Sequence, residues 1–524
     1  MRSSIVLSIL LLFVSYFSFS QKKVKLNHAD SLKGSMRDGK RFDKLLGHVA
    51  FVQNTTNIYC DSAYFFRSEN RLEAFGHVHI TDDSVDITAL RLEYDGTKKI
   101  AYLRKNVVFE KIKIAKLYTD FLDYYRIQNE ARYFNGGKLV DTTNVLTSKK
   151  GYYDVRTNLA SFKREVVGVN PDYTLTSDTL QYNSKTRLVY FRDFTTLKDK
   201  DGKNAYYQNG VYDTRRKFSS LNNGEMESPS YRIKGDAYFI DDVKKFYKVM
   251  GHVAMTHKVE NMTIFGDDGF YDKKRGISKV YGNAYVAKVM DSGDTLFLSA
   301  DTLVSIENKD PKKKMLLAFH NVKIFKNDMQ GIADSLVYLS SDSTLFFYRD
   351  PVLWSDENQM TADSIHMLLK DKNISRIYMV SNSFVVSIDS LKDYNQIKGR
   401  RMTTYFENKK IHHVVVEGNG ETIYHILEEK DIKKDSLLIK ITFLSGMNKT
   451  ICSNMRINFK DGKVSGINFY VKPDASFFPP QDIKEKDRKL KGFTWRGSAR
   501  PKKDDVVKKR AAGVKKTVAN DTSN

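Results

Sequence analysis

The sequence predicts an all-β protein built from a repeat of about 30 residues, and three observations carry that prediction. A strand entry of the form Gly-polar-Val-x-apolar recurs, as Gly47-His48-Val49-Ala50-Phe51, Gly76-His77-Val78-His79-Ile80 and Gly251-His252-Val253-Ala254-Met255. A second signature, apolar-x-small-Asp-x-apolar-x-Tyr, lies between those entries, as in Leu175-Thr176-Ser177-Asp178-Thr179-Leu180-Gln181-Tyr182 and Ile332-Ala333-Asp334-Ser335-Leu336-Val337-Tyr338. The segments around both are short, alternate apolar with polar residues and are rich in Val, Ile, Tyr, Phe and Thr, which is the pattern of half-buried strands. Sustained helical periodicity is missing from the body of the chain.

Looser copies extend the series. Strand entries continue at Gly282-Asn283-Ala284-Tyr285-Val286, Asn106-Val107-Val108-Phe109 and Asn321-Val322-Lys323-Ile324, and then at Asn382 and Gly418-Asn419-Gly420. The Asp signature continues at Asp301 and Asp363, with weaker forms at Asp236 and Asp267. Equivalent positions from 61 to 400 are spaced by 28 to 37 residues, most of them near 30. About thirteen such units fill residues 40–475, each holding two to four short strands separated by turn dipeptides such as Asp95-Gly96, Asp201-Gly202 and Asp461-Gly462. The wider spacings, from Asp267 to Asp301 and from Asp363 to Arg400, mark loop insertions.

Composition sets the boundaries. The 524 residues include 30 Tyr and 32 Phe, which rules out wholesale disorder, and only 8 Pro, which rules out a Pro-rich low-complexity chain. Cys60 and Cys452 are too few for a disulfide scaffold or a Cys-rich zinc site, and they lie near opposite ends of the array, so they are expected as unpaired thiols. Arg2, the apolar run Ile5 to Phe17 and the small residues Ser18 and Ser20 before Gln21 predict a signal peptide over residues 1–20 and an exported protein. The repeat array is expected over 21–481. Residues 482–524 carry 14 Lys/Arg and 6 Asp/Glu with few large apolar side chains beyond Phe493 and Trp495, the composition of a basic disordered tail. The net charge of +23 favours anionic partners, and export directs that preference toward anionic lipids and away from nucleic acid.

No chemistry-bearing constellation stands out from the repeat. His48, His77 and His252 occupy the slot that Asn283 and Asn321 fill elsewhere; both residue types tolerate left-handed backbone, so a shared bend explains them better than a metal site. The Asp slot holds Lys149, Gln208 and Arg400 in other copies, so its expected role is bonding within turns. No nucleophile elbow, phosphate loop, dinucleotide fingerprint or zinc-binding His pair occurs. Catalytic residues, metal ligands and cofactors are therefore not expected.

The two signatures, repeated after a signal peptide, resemble the OstA-like family, which includes a periplasmic lipopolysaccharide-transport protein and the N-terminal domain of an outer-membrane lipopolysaccharide assembly protein. The resemblance spans about residues 40–475 and rests on many short copies at one period. It implies an elongated β-jellyroll whose apolar interior receives lipid acyl chains, modules that join by strand-edge pairing with other lipopolysaccharide-transport proteins, and a periplasmic bridge carrying lipid A or a related anionic glycolipid. The inward residues of the strand entries would form that trough: Val49, Phe51, Val78, Ile80, Val107 and Phe109, then Val253, Met255, Val286, Val322 and Ile324. Two other readings of an exported repetitive β protein are a β-helix enzyme acting on polysaccharide and a structural or adhesive β-solenoid. The first calls for a carboxylate cluster distinct from the repeat, and the second for a C-terminal anchor.

Overall fold

The computed structural model describes residues 23–507 apart from short turn segments at 84, 112–113, 142–143, 201, 230, 291–292, 371–372, 409, 435–436 and 461–462. The expected signal peptide and the end of the tail lie outside the described residues. Contacts divide the chain into two units, Met1–Asn223 and Gly224–Asn524.

In the first unit, successive strands pair antiparallel with their sequence neighbours, from Lys40–Gln53 through Tyr173–Asn183. One 30-residue period is a hairpin of two long strands, most of 10–14 residues, and not a set of separate short ones. Every strand is nevertheless divided. Registers shift between Leu46 and Val49, Phe75 and Val78, Arg104 and Val107, and Lys163 and Val166, so each strand runs through one half-sheet, bends, and continues into a second. Apolar side chains on both sides of the bend point inward: Leu72 and Ala74 before it, Val78 and Ile80 after it, all at most 3% exposed. Small residues (Cys60, Ala63, Ala74 and Ala89) are buried beside the bend. Rings fill the wider part between the half-sheets, as Phe51 meets Phe65 at 5.2 Å and Phe109 meets Tyr124 at 5.8 Å.

The bend is a pair of residues with left-handed backbone. In the first unit these pairs are Gly47-His48, Gly76-His77, Lys105-Asn106, Asn135-Gly136 and Arg164-Glu165, which gives the repeat its period. The expectation that His and Asn share a left-handed slot holds, but the slot is a mid-strand corner, while the hairpin turns use a separate device. There Asp95 and Asp154 accept backbone N–H bonds from the residues two and three positions on.

The recurrent Asp clasps the corner. Asp61 Oδ2 lies 2.8 Å from His77 Nδ1, and Asp30 Oδ2 lies 2.8 Å from His48 Nδ1. A carboxylate is an acceptor only, so the imidazole carries its proton on Nδ1. A side chain on Gly76 or Gly47 would collide with the same carboxylates, and both glycines have φ near +70°. The fifth corner inverts the pattern, with Lys149 in the Asp slot and Glu165 in the corner, 3.6 Å apart.

The second unit keeps the device. Asp236 clasps His252 at 2.7 Å, Asp267 clasps Asn283 at 2.8 Å, Asp301 clasps Asn321 at 2.8 Å and Asp363 clasps Asn382 at 3.0 Å. Asp267, Asp301 and Asp363 also donate their backbone N–H to a carbonyl of the corner, which closes the clasp with a second bond. Several corners here are open enough to divide the strand outright, as between Ile277–Tyr281 and Tyr285–Val289. One hairpin near its end is long, Lys410–Lys434 with Leu437–Lys460.

The tail departs from expectation. The strands end at Phe478, but residues 480–507 are not a free arm: they lie across the outer face of the second unit. Directly opposed residues form a row over that face, Phe297, Phe325, Gln330, Trp354, Gln359, Val386, Gln396 and Ile423. The tail follows this row. Gln396 bonds the Leu490 N–H and the Arg488 carbonyl, and Gln359 bonds the Arg496 N–H and the Thr494 carbonyl. Gln330 then accepts from the Arg500 guanidinium. Leu490 is buried with Phe384, Val386, Ile423 and Met447, and Phe493 and Trp495 pack on Tyr394 at 5.2 and 5.6 Å. Composition suggested disorder because it counts apolar residues. Here sheet glutamines satisfy the strap's backbone, so a few apolar anchors suffice to hold it.

Three outcomes are expected. Gly76→Ala should destabilise the protein by more than the ~1–2 kcal/mol of a left-handed alanine, because its methyl also displaces Asp61; Gly34→Ala, whose added carbon meets nothing within 4 Å, should be near neutral in denaturant midpoint. Leu490→Ala should cost about 2–4 kcal/mol by the same measurement, whereas a free tail would make it silent. Hydrogen bonding to Asp30 raises the His48 pKa, and hydrogen bonding to His48 lowers that of Asp30. The contribution of this clasp is therefore present below the unfolded His pKa and lost as pH rises through the folded one, and on the acid side it is lost as pH falls through the folded Asp30 value. An NMR titration should find His48 protonating above an unperturbed histidine, and Asp30→Asn should remove that difference.

Candidate functional site

The expected trough residues do face inward. In the first unit Val49, Phe51, Val78, Ile80, Val107 and Phe109 are between 0% and 3% exposed. In the second, Val253, Val286, Val322 and Ile324 are buried, while Met255 is half-buried against the same core.

Strand register shows what sequence reading missed. Its strand entries mark only alternate strands, and the intervening ones contribute equally. One inner stripe of the first unit passes Phe51, Ile58, Ile80, Ile87, Phe109 and Leu117, each directly opposite the next, and continues through Leu139, Leu146, Gly168 and Leu175. The second half-sheet carries its own stripe, through Ala74, Leu92, Leu103, Leu122 and Tyr133. Ile87 was detectable in the alternation Val85-Asp86-Ile87-Thr88-Ala89. The stripe of the second unit runs through Met255, Ile264, Val286, Leu298 and Ile324, then Gly331, Leu353, Met360, Val385 and Ile397.

The two stretches of that second stripe differ. From Val286 to Ile397 its side chains are buried, whereas Met255 and Ile264, with Met262 and Leu296 beside the stripe, keep part of their surface in contact with solvent. Methionine suits such a lining, since its flexible thioether adapts to irregular apolar shapes. In the first unit a shallow open cleft is bordered by Leu146, Val169, Tyr173, Leu175, Tyr182 and Val189.

Polar groups edge the interior in the first unit. Tyr94 donates to Gln53 at 2.5 Å, and Gln53 donates to the Gly96 carbonyl at 2.8 Å. Burial pushes the Tyr94 hydroxyl up to about 12, so it stays a donor. Arg126 binds Asp82 at 2.6 Å and also reaches Thr55, and Arg187 and Tyr182 both bond Asp141. These charges are paired, which is what their partial burial requires.

Burial pushes the Cys60 thiol up to about 12, far from a reactive thiolate, and Cys452 is likewise a buried free thiol. His79 is held by Asp86 at 2.8 Å. His412 and His413 approach through their Nδ1 atoms at 2.8 Å, with His413 stacked on Tyr405. Among the described residues no three His, Cys, Asp or Glu side chains converge as a metal site. No helix among them is long and apolar enough to cross a membrane.

Comparison with known proteins bears on the first unit. Residues 21–178 match the OstA-like protein family. Among solved structures, the chain is similar to LptH from Pseudomonas aeruginosa, described as the LptA-homologous periplasmic component of the lipopolysaccharide transport device. That similarity is 15% identity over 23% of this chain and 82% of LptH, with a TM-score of 0.20. No curated protein matches the chain. Residues 21–178 are thus an OstA-like segment, within a chain whose two-signature repeat continues well beyond it.

Proposed function

We propose that this protein is a non-enzymatic periplasmic carrier of lipopolysaccharide or a related anionic glycolipid, holding the acyl chains between its half-sheets and forming part of a bridge toward the outer membrane. The observation that carries the reading is the inner apolar stripe, one residue per strand across strand after strand, within a segment that matches the OstA-like family. An acyl chain laid along such a stripe leaves water at about 0.8 kcal/mol per methylene. The half-buried lining around Met255, Met262 and Ile264 is where a chain meets least resistance, because those side chains are not yet fully covered. Partners by strand-edge pairing follow from the same reading, since the last two strands, Lys463–Tyr470 and Asp474–Phe478, each pair through one edge with Leu437–Lys460.

The protein purified without detergent from a periplasmic extract should carry a multiply acylated glycolipid, identified by mass spectrometry of the extracted lipid. Met255→Asp should fold and lose most of that lipid, since the new charge is half-exposed where it stands. Val78→Asp should instead cost about 3 kcal/mol or more in stability, as a buried unpaired charge. Lys323→Glu, one residue from Val322 but on the other face, should change neither. Lipid-free wild-type protein, or equal lipid on Met255→Asp, would reject the carrier reading.

A further inference from the structure

The outer face of the first unit carries a second row, next to the corners. Its members run Phe75, Arg91, Arg104 and Phe121, each directly opposite the next. Phe121 touches Phe134 at 5.4 Å, and the row goes on through Lys150 and Lys163. Two of its cross-strand pairs, Arg91 with Arg104 and Lys150 with Lys163, set like charges directly opposite, an arrangement that destabilises an isolated sheet. Arg104 has local compensation: it bonds Asp123 at 2.8 Å and lies within 5.6 Å of the Phe121 and Phe134 rings. Arg91, Lys150 and Lys163 are exposed, whereas Lys116 pairs with Glu110 at 2.9 Å and Arg132 with Glu130 at 2.5 Å on the same strands.

The fifth corner adds to the imbalance. Where the corners at His77, His252 and Asn283 are held by Asp61, Asp236 and Asp267, this one has Lys149, and where they have Gly-His or Gly-Asn it has Arg164-Glu165. Four cations (Lys149, Lys150, Lys163 and Arg164) thus face two anions, Glu165 and Asp178, on adjoining strands. Gln208 and Arg400 replace the Asp in other copies as well, but at this corner the exchange falls beside a directly opposed like-charge pair, Lys150 with Lys163, and folding alone does not call for that clustering.

We propose that this cationic row docks the protein on an anionic membrane surface. From Arg91 to Lys163 the row crosses five strand spacings, about 24 Å at the usual ~4.8 Å per strand, a length that suits a sheet of phosphate headgroups better than one small anion. Basic side chains near an anionic leaflet add their attractions, which salt then screens. The row lies outside the half-sheets, so the proposal stands whether or not the interior carries acyl chains.

The test is flotation of the full chain with vesicles of phosphatidylethanolamine and phosphatidylglycerol (3:1), against vesicles of phosphatidylcholine alone. Binding to the first, falling steeply between 50 and 300 mM salt, is expected. A fourfold variant, Lys149→Gln, Lys150→Gln, Lys163→Gln and Arg164→Gln, should keep its melting temperature and bind at least tenfold more weakly. A control with the same charge loss at exposed hairpin turns, Lys98→Gln, Arg156→Gln, Lys185→Gln and Arg216→Gln, should bind within twofold of the parent. Absence of binding by the parent, an unchanged row variant, or a control that loses as much as the row variant overturns the proposal.

Discussion

Everything in this fold depends on the corner. Two consecutive residues with positive φ turn a strand from one half-sheet into the other, and a corner of this kind recurs about every 30 residues for most of the chain. Left-handed backbone is costly for most side chains, so Gly, Asn and His recur at these positions and an Asp clasp secures many of them from outside. In each unit the consequence is the same. A strand that would otherwise lie flat contributes to two facing layers, and its inward residues on both sides of the corner bury one another. No separate crossover connection is needed, which is why neighbouring strands pair in simple sequence order.

Different rules therefore govern the two faces. The inner face demands apolar residues at a fixed phase from the corner, and it tolerates a range of shapes: Val, Ile, Leu, Phe and Tyr next to the hairpin turns, and Ala, Cys or Val by the bend. The outer face is free to diverge, and it does. In the first unit it carries aromatic and cationic side chains, with Arg104 lodged among Tyr102, Phe121 and Phe134. In the second it presents the row of Phe, Gln and Trp that the C-terminal strap covers. Trp354, wholly buried on that outer row, is intelligible only with the strap in place, since an uncovered sheet face would leave its ring in water.

Sequence reading recovered the class, the period and the inward phase of the strand entries, because all three are local: a corner fixes the residues that follow it, and alternation does the rest. It did not see that the two signatures are halves of one clasp. Asp61 and His77 stand 16 residues apart, and Asn321 and Asp301 stand 20 apart, so the bond exists only once the hairpin has formed. Inner residues such as Ile58 and Leu117 escaped because their strands carry no Gly-polar-Val entry to set the phase. The strap was less legible still. Gln359 bonds Arg496 across 137 residues and Gln396 bonds Leu490 across 94, and a lone glutamine in a strand gives no sign of such a partner.

The corner also bears on how an interior this well filled could admit a ligand. From Val49 to Phe109 the inward side chains of the strand entries are at 0–3% exposure, so an acyl chain there must replace contacts between the half-sheets with contacts to itself. Apolar area buried against an acyl chain is worth about as much as area buried against a side chain, so the exchange itself is close to neutral. What remains is the work of moving one half-sheet from the other. The ladders run along each half-sheet and the clasps sit at the bend, so a change in the angle at the corners spares both. Resistance is then set by how completely the inner side chains interlock. That interlock is tight from Val49 to Phe109 and from Ile324 to Ile397, and loosest around Met255, Met262 and Ile264.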